Sequence, residues 1–174
     1  EATYGYWANS LSLVADAGHN LSDVLSLLLA WGAAWLAQRQ PTQYRTYGFR
    51  RSSILAALVN AVVLLLAIGA IAWEAIQRFR APEPVAAGTV MWVAAVGILI
   101  NTATALLFRA GRKDDLNIRG AFLHMAADAA VSLGVVISAG LILATGWEWL
   151  DPVVSLIIVA VILIGTWGLL RESV

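Results

Sequence analysis

Five long runs of apolar residues dominate the sequence, and charged residues gather in the short segments between them. The runs cover about residues 11–37, 52–77, 85–109, 118–144 and 152–170. Each is close to or longer than the ~20 residues that an α-helix needs to cross a bilayer. Hydrophobic residues make up 60% of the chain, above the roughly 45–50% of ordinary soluble domains. A buried bundle in a soluble protein is the alternative, and these runs disfavour it.

We therefore predict an all-α fold, a polytopic transmembrane helix bundle in which residues 1–174 form one transmembrane domain. The aromatic-rich residues 1–10 are interpreted as the end of a further helix plus a short loop, so five long helices follow the remnant of a sixth. Pro82 cannot continue the second long helix. Asp151 followed by Pro152 predicts an N-cap and a first helical position for the fifth long helix.

The basic residues predict the orientation of the bundle. Nine fall on one side of the predicted membrane, against Arg78 and Arg80 on the other: Arg39, Arg45, Arg50, Arg51, Arg109, Arg112, Lys113, Arg119 and Arg171. Loops rich in arginine and lysine usually face the cytoplasm, so we expect a cytoplasmic C-terminus and a first long helix that runs from outside to inside. Tryptophans toward the helix ends indicate an aromatic belt at the membrane surface: Trp31, Trp35, Trp73, Trp92, Trp147, Trp149 and Trp167.

Composition excludes some functions. Eleven basic residues balance eleven acidic ones, so net charge indicates no nucleic-acid or acidic partner. The absence of cysteine removes both disulfides and thiolate metal ligands. No signal-peptide pattern is present. The chain begins without methionine, which suggests that a segment precedes it.

The two histidines of the chain occur in the same short pattern. His19 is followed four residues later by Asp23, and His124 by Asp128, both within apolar runs. Residues four apart lie on one face of a helix. An ionised side chain in the bilayer centre costs at least ~2.5–3.5 kcal/mol, so a buried aspartate needs a partner or a function.

A shared metal site satisfies both pairs. Two neutral imidazoles and two carboxylates form a four-coordinate nitrogen and oxygen set that suits Zn²⁺, and related divalent ions as well. The helices that carry the pairs should be antiparallel, so the two aspartates can meet near the membrane midplane. The alternatives are polar residues that bond across helices and a proton-relay pair without metal.

Other polar residues in the apolar runs give weaker evidence of an ion site. Asp16 lies on the same helical face as His19, where it is either an accessory residue for the ion's passage or a polar residue at the helix start. Asn60 and Asn101 are expected to form interhelical hydrogen bonds.

These motifs resemble the cation diffusion facilitator family, the zinc/cadmium-type metal–proton antiporters. The resemblance lies in residues 10–23 (SLSLVADAGHNLSD), 47–51 (YGFRR), 117–128 (NIRGAFLHMAAD) and 151–152 (DP). It spans nearly the whole chain, and the paired His-x3-Asp motifs are its specific part.

The resemblance implies a secondary active transporter rather than an enzyme. It implies four metal ligands, His19, Asp23, His124 and Asp128, that carry Zn²⁺, or Cd²⁺, Co²⁺, Ni²⁺ or Fe²⁺, out of the cytoplasm in exchange for protons. Zn²⁺ is then the transported substrate, and no catalytic or cofactor-binding residue is expected. The partners are the divalent ion, protons and the lipid bilayer of a bacterial plasma membrane, with a homodimer in the full-length protein.

The chain departs from the family pattern in three ways. Ser53 stands where many relatives have a glutamate, and the loop at 109–119 has no histidine. The family's first transmembrane helix and cytoplasmic C-terminal domain are missing. Two other functions remain open at this stage: a membrane-embedded zinc hydrolase, and a metal-sensing or structural membrane subunit without transport.

Overall fold

The computed structural model describes residues 1–37, 50–109 and 116–173, and each element in these ranges is a helix. A short helix precedes five long ones: α1 (Ala2–Trp7), α2 (Leu11–Ala37), α3 (Arg50–Arg80), α4 (Ala87–Phe108), α5 (Leu116–Thr145) and α6 (Leu150–Ser173). The predicted all-α bundle of five long helices and a short N-terminal helical segment is confirmed. Arg39, Arg45, Arg112 and Lys113, which contributed to the predicted orientation, lie outside the described residues.

Several helices are suited to a bilayer. Within the described part of the chain, Leu58–Arg80, Ala87–Phe108 and Ile118–Thr145 are long and apolar enough to cross a membrane, and Leu150–Ile164 is a shorter apolar helix. Large apolar side chains such as Leu66 and Leu107 point outward and are well exposed. Exposing such an apolar surface to water is energetically unfavourable, whereas contact with lipid tails is not. The first half of α2 is less apolar because it carries the polar residues of the candidate site.

Helix α2 lies at the centre of the bundle, in contact with α1, α3, α5 and α6. Helix α4 packs along α5, and α3 packs along α6. Leu13 of α2, Val90 of α4, Val135 of α5 and Ile158 of α6 belong to one buried apolar cluster. Asn60 of α3 donates a hydrogen bond to the Ser22 hydroxyl of α2 (3.3 Å), which confirms the interhelical bond predicted for it. The bond predicted for Asn101 stays a prediction.

Helix α1 turns back closely against α2. Asn9 adopts a left-handed conformation (φ 54°) in the connection, which asparagine tolerates better than most residues. A Cβ atom on Gly5 would lie 2.9 Å from the Val14 Cγ2 atom and 3.0 Å from the Val14 amide nitrogen. Only glycine allows the two backbones to approach this closely, so α1 is fixed against the start of α2.

Asp151 joins the start of α6 to the start of α2. Its buried carboxylate accepts hydrogen bonds from the Ser10 hydroxyl (2.6 Å), the Ser12 hydroxyl (2.6 Å), the Leu11 amide (2.7 Å) and the Ser12 amide (3.3 Å). The first amides of a helix have no partner within it, and they carry a partial positive charge. The ionised carboxylate is therefore fully paired although it is buried.

The N-cap predicted for Asp151 was assigned to the wrong helix. Helix α6 begins at Leu150, so Asp151 lies within its first turn rather than before it. Its carboxylate caps α2 instead, 140 residues away in sequence from Leu11. Sequence patterns detect caps within one segment, and they carry no information about a carboxylate supplied by a distant helix.

The same end of the bundle is closed by Arg78 and by aromatic side chains. Arg78 is buried and donates to both the carbonyl and the side-chain oxygen of Asn9 (2.7 Å each), with Glu74 and Glu83 beside it. Nearby, Trp147 and Trp149 stack with their ring centroids 5.8 Å apart. Five tryptophans are exposed at or near this end, as an aromatic belt requires: Trp7, Trp73, Trp92, Trp147 and Trp149. The side chains of Trp35 and Trp167 lie outside the described part of the structure.

Replacing Asp151 by alanine is expected to destabilise the bundle by at least ~3 kcal/mol, because hydrogen bonds to a charged group contribute about 1.5–3 kcal/mol each. The melting temperature of the purified protein in detergent should fall by ~6 °C or more. Thr104→Val removes an exposed hydroxyl bonded only to the Ile100 carbonyl of its own helix, so it serves as a control with a shift near zero. Equal melting temperatures for Asp151→Ala and this control would contradict the assigned cap.

Candidate metal centre

Helices α2 and α5 each contribute one histidine and one aspartate to a single cluster. His19 and Asp23 are one turn apart on α2, and His124 and Asp128 are one turn apart on α5. The i, i+4 spacing places both side chains of each pair on the same face of their helix. We call these four residues the His/Asp cluster.

The four side chains are close enough to share one ion. The His19 Nε2 atom lies 3.6 Å from Asp23 Oδ2 and 3.6 Å from Asp128 Oδ1. The His124 Nε2 atom lies 3.3 Å from Asp23 Oδ2 and 3.7 Å from Asp128 Oδ2. The two imidazole rings meet edge to face, with centroids 6.0 Å apart. The structure thus brings together all four residues that the sequence singled out.

These distances are close to the edges of a tetrahedral zinc shell, and Asp128 faces the two imidazoles through different oxygen atoms. Zinc binds imidazole nitrogen and carboxylate oxygen at about 2.0–2.2 Å, so neighbouring ligand atoms in a regular tetrahedron are about 3.3–3.6 Å apart. The ligand atoms of His19, Asp23 and Asp128 lie within 4.8 Å of one another. His124 completes the set from a more exposed position, since 43% of its side chain is accessible against 3% for Asp128.

One atom of the cluster is an acceptor without a hydrogen-bond donor. Asp23 Oδ2 is buried and accepts no hydrogen bond in the described part of the chain, although both imidazoles lie within 3.6 Å of it. A buried polar atom without a partner is costly and calls for an explanation. A cation held between the carboxylates and the imidazoles would provide one, because it would contact this oxygen directly.

The cluster lies deep within both helices. His19 is eight residues from the start of α2 and His124 is eight residues from the start of α5. At 1.5 Å per residue, each histidine is ~12 Å and each aspartate ~18 Å along its helix. An odd number of chain reversals separates α2 from α5, so the two helices run in opposite directions. The cluster therefore lies ~12–18 Å inside the starts of two antiparallel helices.

Asp16 does not lie at the start of α2, which was one of the two alternatives expected for it. The first turn of α2 contains no acidic residue, and Asp16 lies in the second turn with 0% exposure. Its Oδ2 atom accepts a hydrogen bond of 2.8 Å from the Ser132 hydroxyl of α5. Asp16 is therefore an internal link between the two helices that carry the His/Asp cluster, one turn away from His19.

Glu1 is a polar residue near the cluster that the sequence did not reveal. Its carboxylate accepts a hydrogen bond from the Asn20 side chain (3.1 Å) and lies against Gly97 of α4. No periodic pattern connects Glu1 to the other site residues, since it precedes a helix of only six residues. Its position follows from the fold of α1 against α2.

The apolar helices, with a polar cluster between two of them, define an integral membrane protein. The whole chain, residues 1–174, matches the family model described as the cation efflux transmembrane domain. The chain therefore belongs to the cation efflux family, also called the cation diffusion facilitator family, as its motifs indicated.

Relatives carry the names of metal transporters. The chain is 41% identical over 175 residues to the zinc transporter ZitB of Escherichia coli, a match that covers 100% of the chain and 56% of the relative. It is 38% identical over 176 residues to a cadmium, cobalt and zinc/H(+)-K(+) antiporter of Bacillus subtilis, covering 100% of the chain and 57% of that protein. It is 35% identical over 173 residues to the cation efflux system protein CzcD of an Alcaligenes species, with coverages of 99% and 55%. The chain thus spans about half the length of these curated relatives.

Proposed function

We propose that the protein exports Zn²⁺, and related divalent cations, from the cytoplasm in exchange for protons. The ion is bound near the membrane midplane by His19, Asp23, His124 and Asp128. The observation that carries this proposal is the set of four nitrogen–oxygen distances between 3.3 and 3.7 Å, which fits a tetrahedral shell.

The donor set favours a divalent ion of intermediate hardness. Two carboxylates carry two negative charges, which a divalent cation neutralises, and two imidazoles supply nitrogen ligands that suit zinc, cobalt and nickel better than magnesium or calcium. Relatives named for zinc, cadmium and cobalt agree with this chemistry. We therefore propose Zn²⁺ as the main substrate, with Cd²⁺, Co²⁺, Ni²⁺ and Fe²⁺ as weaker ones.

Proton exchange follows from the same ligands. Neutral imidazole and ionised carboxylate bind metal, whereas their protonated forms do not. Protons that reach the cluster from outside would displace the ion, and loss of those protons to the cytoplasm would restore the site. The binding face must open to each side in turn, which in transporters occurs by rocking of helices around a fixed site.

We also propose the orientation of the bundle. Arg109 and Arg119 flank the connection between α4 and α5, and the end with Arg78, the tryptophans and the α1–α2 turn is opposite to it. Placing the arginine-rich connections in the cytoplasm puts the C-terminal end of α6 there as well. The host membrane would be a bacterial plasma membrane, and the complete protein would form a homodimer.

Asp128→Asn is expected to lower the affinity for Zn²⁺ by ~100-fold or more, because it removes a negative charge and an anionic ligand without changing the shape of the side chain. The measurement is calorimetric titration of the purified protein, together with zinc uptake into proteoliposomes. Ser138→Ala, a buried change on the same helix outside the cluster, should leave both quantities near the wild-type value. Wild-type zinc affinity in Asp128→Asn would contradict the proposed ligand set.

Zinc affinity should also weaken as the pH falls from 7.5 to 5.5, by ~10-fold or more, because imidazole takes up protons in this range and each bound proton competes with the ion. Titrations at several pH values and constant ionic strength measure the slope. His124→Ala should bind more weakly and with a shallower dependence on pH, because one competing proton is lost. A zinc affinity independent of pH would contradict proton exchange at this cluster.

A further inference from the structure

A second group of polar side chains lies beside the His/Asp cluster. It consists of Glu1, Asp16, Asn20 and Ser132, and we call it the outer polar cluster. Asp16 is one turn before His19 on α2, and Ser132 is one turn after Asp128 on α5. In the proposed orientation α2 begins at the outer surface, so this cluster lies between the metal site and the outside.

Asp16 is fully buried, and one of its two carboxylate oxygens has no hydrogen-bond partner in the described part of the chain. Its side chain has 0% exposure and receives one hydrogen bond, from Ser132 (2.8 Å). Its second oxygen, Oδ1, has no hydrogen-bond partner in the described part of the chain. Asp151, the other fully buried aspartate, receives four hydrogen bonds. Burial therefore leaves the ionised form of Asp16 poorly compensated, whereas a proton on Oδ1 would remove the charge.

Glu1 brings a second carboxylate to the same place. One Glu1 oxygen accepts from the Asn20 amide, and the other occupies the position that a Cβ atom on Gly97 would take. The Ser132 hydroxyl, which is bonded to Asp16, lies 3.4 Å from that same position. The absence of a side chain at position 97 thus makes room for the Glu1 carboxylate next to the Asp16–Ser132 bond.

The groups around Asp16 favour uptake of a cation. Glu1, His19 and Asp128 are the titratable groups that interact with Asp16, from the α1 start, from α2 and from α5. Glu1 and Asp128 are acidic, and His19 and Asp128 are proposed metal ligands. A divalent ion bound one turn away and a proton on Asp16 both neutralise the negative charge of this group of carboxylates, so the two cations compete.

We propose that Glu1 and Asp16 form the site that takes up the counter-transported proton on the outer side. When the metal ion leaves to the outside, the carboxylate of this site binds a proton from the outside and becomes a carboxylic acid. The acid returns its proton to the inner aqueous side when the next metal ion binds. Metal and proton each lower the affinity for the other, and by linkage this antagonism is reciprocal. The inference rests on the proposed antiport, and it adds to the proton exchange at the His/Asp cluster a second proton site whose residues are not metal ligands.

The test uses the complete protein in proteoliposomes and the variant Asp16→Asn, which keeps an acceptor for Ser132 but cannot exchange a proton. Three quantities are compared with the wild type: zinc affinity, exchange of radioactive zinc at equal zinc concentrations on both sides, and net zinc transport driven by an imposed pH gradient. Exchange needs no net proton movement, so it isolates the metal site. We expect Asp16→Asn to reduce net transport at least tenfold, while zinc affinity and exchange stay within about threefold.

Gly97→Ala gives a second test, because its methyl group displaces the Glu1 carboxylate and meets the Ser132 hydroxyl only at an ordinary van der Waals distance of 3.4 Å. Net transport driven by the pH gradient should fall in this variant as well, whereas Ser138→Ala should behave as wild type. Wild-type dependence on the pH gradient in Asp16→Asn would overturn the inference. Loss of zinc exchange together with net transport in Asp16→Asn would also overturn it. A third contrary result would be net zinc transport that depends on Asp16 but is driven by a K⁺ gradient and not by the pH gradient. Failure of the wild type to bind or move zinc would instead contradict the proposed function.

Discussion

Every ionised side chain inside this bundle has to be neutralised by the protein, because the surrounding lipid offers neither hydrogen bonds nor mobile charge. Asp151 is compensated entirely by hydrogen bonds, because two amides at the start of α2 and two serine hydroxyls donate to its carboxylate. That arrangement also determines the fold, because it joins the starts of α2 and α6 and positions α2 at the centre. The other buried acids are compensated less completely, and these are the acids to which we assign function.

The four aspartates within the bundle differ in how many partners compensate their charge. Asp151 has four hydrogen bonds, Asp23 and Asp128 face two imidazoles, and Asp16 has a single serine hydroxyl. A fully paired carboxylate has little reason to bind a mobile ion. A carboxylate with an open coordination position can bind a metal ion, and one with a free oxygen and a carboxylate neighbour can bind a proton. Asp16 of the proposed proton site lies one turn from His19 of the proposed metal site on α2, so the occupancies of the two sites influence each other through charge.

The long helices and the His/Asp cluster follow from local sequence patterns. Apolar runs near the bilayer's thickness predict the helices, and a four-residue spacing places each histidine above its aspartate. What the sequence could not reveal depends on contacts between distant segments. Asp151 caps α2 rather than its own helix, and Ser132 bonds to Asp16 across the α2–α5 contact. Glu1 reaches the site because the chain turns back at Asn9 and α1 packs closely against α2 at Gly5. Each of these contacts joins residues that no periodicity relates.

The coordination of zinc in the complete protein tests the central claim most directly. X-ray absorption at the zinc edge of the loaded protein should show four nitrogen or oxygen ligands at about 2.0–2.1 Å, with outer-shell scattering from two imidazoles. In His124→Ala, scattering from one imidazole should remain. A six-coordinate oxygen shell without imidazole scattering, unchanged in this variant, would contradict a site built from His19, Asp23, His124 and Asp128.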